Sequence, residues 1–144
     1  MTAPVYVGMP SVDRVFEVGH WGNIRCGGPC KDDYARIEHF TEGGRLITLQ
    51  KAAMDSFRSA ETECGPIVCT GTWRPCSLQT ALYAKDSSRY ARPDSTAHCR
   101  GLAIDVATNQ TPAKLKKIHD ALMARHWHQA RSDEKWHWSM GIEC

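Results

Sequence analysis

The chain has 144 residues, enough for one domain with a single core. Its 42% hydrophobic and 24% charged residues are ordinary for a folded protein, and a net charge of +2 with no basic run longer than Lys116-Lys117 gives no charge argument for nucleic acid. The N-terminus lacks a basic leader and a long apolar run, so neither a signal peptide nor a membrane span is expected.

Residues 1–33 are rich in Gly and Pro and read as an irregular segment preceding a core at 34–144, the whole forming one domain. Val15, Phe16 and Val18 could make a short strand there. His20 in Gly19-His-Trp-Gly22 reads as an exposed loop histidine rather than a ligand. Tyr34 to Phe40 suits a helical turn, broken by Gly43-Gly44. Leu46 to Ala60 carries Leu46, Leu49, Ala53, Phe57 and Ala60 at helical spacing and predicts one core-facing helix ended by Cys64-Gly-Pro.

Ile67 to Trp73 predicts a strand, and Ser77 to Lys85 a helix with Leu78, Ala81 and Leu82 inward. Asp86 to Ser95 is polar and reads as a loop. Leu102 to Ala107 predicts a second strand. Thr111-Pro112 pairs a side-chain cap with a proline at the first helical position, so a helix runs from Ala113 to Arg125 with Leu115, Ile118, Leu122 and Met123 on one side. Trp127 to Ala130 and Lys135 to Met140 read as two strands joined around Ser132-Asp133-Glu134. The expectation is an α+β domain with one small, mainly antiparallel sheet and helices on one side.

Seven cysteines, an odd number, leave at least one thiol outside any intrachain disulfide. Cys26-Gly-Gly-Pro-Cys30 has the look of half a zinc knuckle, but no second closely spaced pair accompanies it. Disulfides or plain thiols are the preferred reading, with the pairing not legible.

The chemistry concentrates in Thr96-Ala-His-Cys-Arg-Gly-Leu-Ala-Ile-Asp105 and Glu134-Lys-Trp-His137. Two imidazoles, one carboxylate to bind and one to spare make the inventory of a catalytic zinc site, three protein ligands with a fourth position for water. His98, Asp105 and His137 are the candidate ligands and Glu134 the candidate general base. Gly101 gives the backbone freedom to turn His98 towards Asp105. Strand alternation sends the His137 imidazole away from Trp136 and Trp138. The same residues also admit a plainer reading: a loop histidine, a strand-end carboxylate and a surface charge. A rival set is His126 and His128, two apart on a strand, with His119 upstream. His126 alone suits the end of the preceding helix, where a cation favours the dipole.

These two stretches resemble the zinc D-alanyl-D-alanine peptidases of the Hedgehog-like LAS metallopeptidase group. That family's Ser-x-His-x-x-Gly-x-Ala-x-Asp is matched by Thr96, His98, Gly101, Ala103 and Asp105, with Thr for Ser. Its Glu-x-Trp-His is matched by Glu134, Trp136 and His137. A third element, Gly-Tyr-Arg-Ser with a later Gln, is matched at Arg74 and Gln79 only. The three elements fall within residues 67–140, in the family's order.

The resemblance implies a Hedgehog/DD-peptidase-like fold, one zinc ion, and hydrolysis of a peptide bond in peptidoglycan stem peptides. It gives Glu134 the role of base and Arg74 that of oxyanion partner, and has Gln79 and Thr96 bind substrate or hold the loop. Cys99, beside a ligand, is expected to point away from the metal, towards Cys76 as a disulfide. A monomer released from the cytoplasm, as in phage lysis, fits this reading, as does a wall-remodelling enzyme whose leader was removed. A cytosolic D-Ala-D-Ala dipeptidase and a non-catalytic zinc-stabilised binding module are the alternatives.

Overall fold

The computed structural model describes residues 5–7, 30, 36–93, 96–129 and 134–140. They form an α+β arrangement of three α-helices and two three-stranded antiparallel sheets, where one sheet was expected. The readings of Val15–Val18 as strand and of His20 as a loop residue lie outside the described residues.

The first sheet is ordered β1 (Val5–Val7), β2 (Arg36–Phe40), β3 (Leu46–Leu49). β1 falls within the segment read as irregular. β2 and β3 make a hairpin in register Ile37↔Leu49 and Phe40↔Leu46, closed where Gly44 takes a left-handed φ of 83°. Two predictions fail here. Residues 36–40 are strand, not helical turn, and Leu46–Leu49 is strand, not the first turn of a helix. Leu46 and Leu49, three apart, have helical spacing, whereas Ile47 and Leu49, two apart, have the spacing of a strand. The strand wins because Ile47 and Leu49 alternate inward while Leu46 is 57% exposed, the period-2 pattern of a half-buried sheet.

Only after Gln50 does the helix α1 (Lys51–Cys64) begin. It buries Ala53, Met54, Phe57, Ala60 and Glu61, spaced three and four apart, and stops at Gly65 with φ 84°. Buried Glu61 is satisfied by backbone N–H donors: Glu42 donates to Oε1 at 3.0 Å and Ile67 to Oε2 at 2.8 Å. The helix end is thereby tied to both flanking segments.

The second sheet is ordered β4 (Cys69–Gly71), β5 (Ala103–Val106), β6 (His137–Ser139). All four residues of central β5 are buried. The predicted strand at 127–130 reduces to one antiparallel bridge, His128↔Ser139. Trp127 goes into the core instead and donates its indole N–H to Ser56 Oγ at 3.0 Å.

Helix α3 (Pro112–Met123) starts as the Thr-Pro pair predicts: the Thr111 hydroxyl accepts from Lys114 N at 3.2 Å. It packs on α1 through Ile118, Ala121 and Leu122, whereas Met123, expected inward, is exposed. Helix α2 (Cys76–Lys85) departs further. Leu78 and Ala81 are exposed, Leu82 is half-buried, and Gln79 is the helix's one buried residue. Among the described residues no helix is long and apolar enough to cross a membrane.

Candidate metal centre

Register places the site. In the second sheet Gly71, Asp105 and His137 lie side by side across β4, β5 and β6. Directly opposed residues of antiparallel neighbours bring their side chains together. His137 Nδ1 meets Asp105 Oδ1 at 3.1 Å. The glycine leaves the third place open: a Cβ on Gly71 would stand 2.9 Å from Asp105 Oδ2.

His98 arrives from the 3-10 turn Ala97–Arg100 that leads into β5. Thr96 caps this turn, its hydroxyl accepting from His98 N at 3.3 Å, and Gly101 closes it with a left-handed φ of 71°. The freedom read into Gly101 is thus used, and a side chain there would also press on Gln50 N at 3.1 Å. His98 Nε2 lies 3.1 Å from the same Asp105 Oδ1, with the two imidazole centroids 4.9 Å apart.

Nδ1 of His98 donates to the Thr72 carbonyl at 2.7 Å, which aims Nε2 at the carboxylate: that nitrogen donates to Asp105 when the ring is protonated and offers its lone pair to a metal when the ring is neutral. A metal-binding histidine is oriented in this way by its second nitrogen. His98, Asp105 and His137 are 3%, 8% and 5% exposed, and one ligand atom from each lies within 4.8 Å of the others. Two imidazole nitrogens and one carboxylate oxygen converging in a buried place are a donor set suited to zinc.

Burial alone would push the Asp105 carboxyl up. The hydrogen bonds from His137 and His98, and the charge those rings carry when protonated, outweigh it and hold Asp105 well below the usual carboxylate range. Arg74 adds a third hold, Nη2 donating to Asp105 Oδ2 at 3.2 Å. Its Nη1 donates to Gln79 Oε1 at 3.2 Å, and Gln79 Nε2 donates in turn to the Ala91 carbonyl at 2.8 Å. This explains why α2 turns a glutamine inward: its buried face meets the site's polar wall rather than the apolar core.

Glu134 is half-buried in the turn before β6, and its carbonyl accepts from His137 N at 3.1 Å. Its carboxylate is not one of the three converging ligand groups. Trp138 is buried with its ring edge to His119 at 5.3 Å, while Trp136 is 43% exposed. His119, His126 and His128 are all exposed, and among the described residues they form no ligand group, so the rival set is not assembled.

Three supporting residues escaped the sequence reading. Gln50, fully buried, donates from Nε2 to the Arg100 carbonyl at 2.6 Å, and its N–H donates to the Gly101 carbonyl at 2.9 Å. Thr72 supplies the carbonyl that orients His98. Gly71 makes the space for Asp105. Of these only Gly71 carried a signal, a glycine inside a predicted strand, which marks a close approach. The disulfide expectation also changes: Cys76 pairs with Cys30, and buried Cys99 is in no disulfide. A scan against protein-family models found no match, and a search of curated proteins found none that matches this chain significantly.

Proposed function

We propose that this chain is a zinc-dependent peptidase that hydrolyses a peptide bond in peptidoglycan stem peptides, with a Hedgehog/DD-peptidase-like fold. The observation that carries the reading is the meeting of His98, Asp105 and His137 within 4.8 Å. Residues from a turn and two strands, separated by up to 39 positions, bring two imidazoles onto one buried carboxylate, the donor types a zinc ion takes. The family resemblance of the same residues supplies the reaction class.

Zinc at such a site supplies Lewis-acid polarisation of a carbonyl and a lowered pKa for water. His98, Asp105 and His137 would hold it. Glu134, tied to His137 by one turn, takes the proton of the attacking water and returns it to the leaving amine. Arg74 keeps its guanidinium charged, and its donors not committed to Gln79 and Asp105 are available to the charge developing on the carbonyl oxygen. Gln79 fixes Arg74, and Thr96 fixes the turn that carries His98. The depth of the ligand cluster keeps these charges in a low-dielectric setting, where they act strongly.

The test is digestion of purified peptidoglycan followed by mass spectrometry of the fragments, with and without a chelator. Expected are fragments cut at one stem-peptide bond, lost on chelation and restored by zinc. Glu134→Ala should abolish cleavage and keep the metal. Cleavage that survives complete metal removal overturns the reading. Release of alanine from free D-Ala-D-Ala without any action on wall favours the dipeptidase instead. Unchanged function in Glu134→Ala favours a binding module.

A further inference from the structure

A second set of side chains able to bind a metal adjoins the first through Cys99, next to His98 in the chain, and takes no part in the chemistry above. The Sγ atoms of Cys30, Cys76 and Cys99 all lie within 4.8 Å of one another. They come from three separate parts of the chain: the N-terminal segment, the first residue of α2, and the 3-10 turn. Cys30 and Cys76 form a disulfide, and Cys99, 1% exposed, sits against it with its sulfur outside any disulfide. A cross-link needs two sulfurs, and a buried cysteine elsewhere is simply a small apolar side chain, as Cys69 is in the core cluster. Three sulfurs gathered from three segments go beyond either use.

We infer that in the reduced protein Cys30, Cys76 and Cys99 form a second metal site, a three-thiolate site for zinc, distinct from the His98–Asp105–His137 site. Zinc–sulfur bonds of about 2.3 Å in tetrahedral geometry put sulfurs roughly 3.8 Å apart, so small side-chain rotations suffice once the disulfide is open. Thiolate donors select zinc over magnesium or calcium. Cys76 is the first residue of a ten-residue helix, whose N-terminal partial charge favours a thiolate. The remaining coordination position is left to water.

The disulfide and the metal are alternatives, because the disulfide bond occupies two of the three donors. A phosphine reductant opens it: phosphorus takes the oxygen of one water, and that water's two hydrogens end on Cys30 and Cys76. Coordination then exchanges the three thiol protons, released to solvent, for one ion. Consecutive residues of the 3-10 turn thus serve two sites, His98 the one on the sheet and Cys99 the one between the turn, α2 and the N-terminal segment. The disulfide joins Cys30 to Cys76 alone, whereas the metal joins Cys99 to them as well.

The test is zinc stoichiometry by mass spectrometry of the full chain. One sample is reduced with tris(2-carboxyethyl)phosphine and the other oxidised, each equilibrated with zinc without oxygen and freed of loose metal. The reduced chain should carry one zinc more than the oxidised chain. Cys99→Ala should remove that increment, and so should Cys30→Ser, a half-buried position that keeps the comparison informative if the buried change disturbs folding. Cobalt substituted for zinc should show a thiolate-to-cobalt charge-transfer band in the reduced chain that is absent from both variants. Equal zinc in the two redox states, or an increment that survives both substitutions, overturns the inference. The readout is a difference, so loss of the His98–Asp105–His137 metal would lower both samples equally and leave the increment in place.

Discussion

The two sheets of this protein have different tasks. The second, β4-β5-β6, carries Asp105 and His137 on adjacent strands and leaves a glycine beside them. The first, β1-β2-β3, carries none of the three grouped residues but braces the loops beside them. Thr48, in β3, donates its N–H to Thr72 Oγ1 at 3.2 Å and accepts from Trp73 N at 3.2 Å. Arg74 N then donates to the His98 carbonyl at 3.1 Å. Gln50, just past β3, clamps Arg100 and Gly101. The guanidinium of Arg36, in β2, lies 3.9 Å over the Trp73 ring. A metal site held to sub-ångström tolerance needs such support, since ligands on strands are only as fixed as the elements behind them.

The contrast predicts two kinds of defect. Asp105→Ala removes a candidate ligand and the shared partner of both imidazoles. Zinc affinity, measured by competition with a chromophoric chelator, should fall by more than about 100-fold, since losing even an outer partner costs roughly 10–100-fold. Phe57→Ala, on the support side, should instead cost about 3–5 kcal/mol of unfolding free energy and leave affinity in the folded fraction nearly unchanged. A Phe57 variant that lost zinc at full stability would erase the distinction.

Gln50→Ala sharpens it. The buried Arg100 carbonyl loses its Gln50 donor, so denaturant titration should register about 1–3 kcal/mol, with a smaller loss of zinc affinity because His98 shares that turn. Gly71→Ala should reverse the balance. Its Cβ meets the Asp105 carboxylate rather than the core, so affinity should drop roughly tenfold, the low end for a displaced partner, while the melting temperature moves little.

The smallest effect is in acid. The folded-state pKa of Asp105 is depressed, so its contribution is fully present above the unfolded value of about 3.9 and is lost as pH falls through the lower folded value. The metal-free protein should therefore lose stability below about pH 4 more steeply than Asp105→Asn does. Parallel acid limbs for the two proteins would mean that the histidines do not hold the carboxylate.

Local signals were the ones legible in the chain. Thr111 and Pro112 mark where α3 begins because a cap and a preset φ act within a few residues. The spacing around His98, Gly101 and Asp105 describes a turn feeding a strand, and the chain folds that way. Where short and long range compete, the residues were ambiguous. Leu46 and Leu49 fit a helical period while Ile47 and Leu49 fit a strand's, and only pairing with Ile37 and Phe40 made this stretch strand. Leu78 and Leu82 look like a core stripe, yet α2 turns Gln79 inward because Arg74 is there to be held.

By itself, then, the sequence determined which residue types were available for metal chemistry, where the caps and turns lie, and that strands and helices would mix. Tertiary structure decided the register that sets Asp105 opposite His137, the glycine gap at position 71, and the reach of Gln50 from one sheet's end to the loop of another. It also chose Cys30 as the partner of Cys76. The physical reason is range: caps and turns are settled by neighbours in the chain. Convergence of residues 30, 76 and 99, or of 98, 105 and 137, depends on which distant surfaces bury one another.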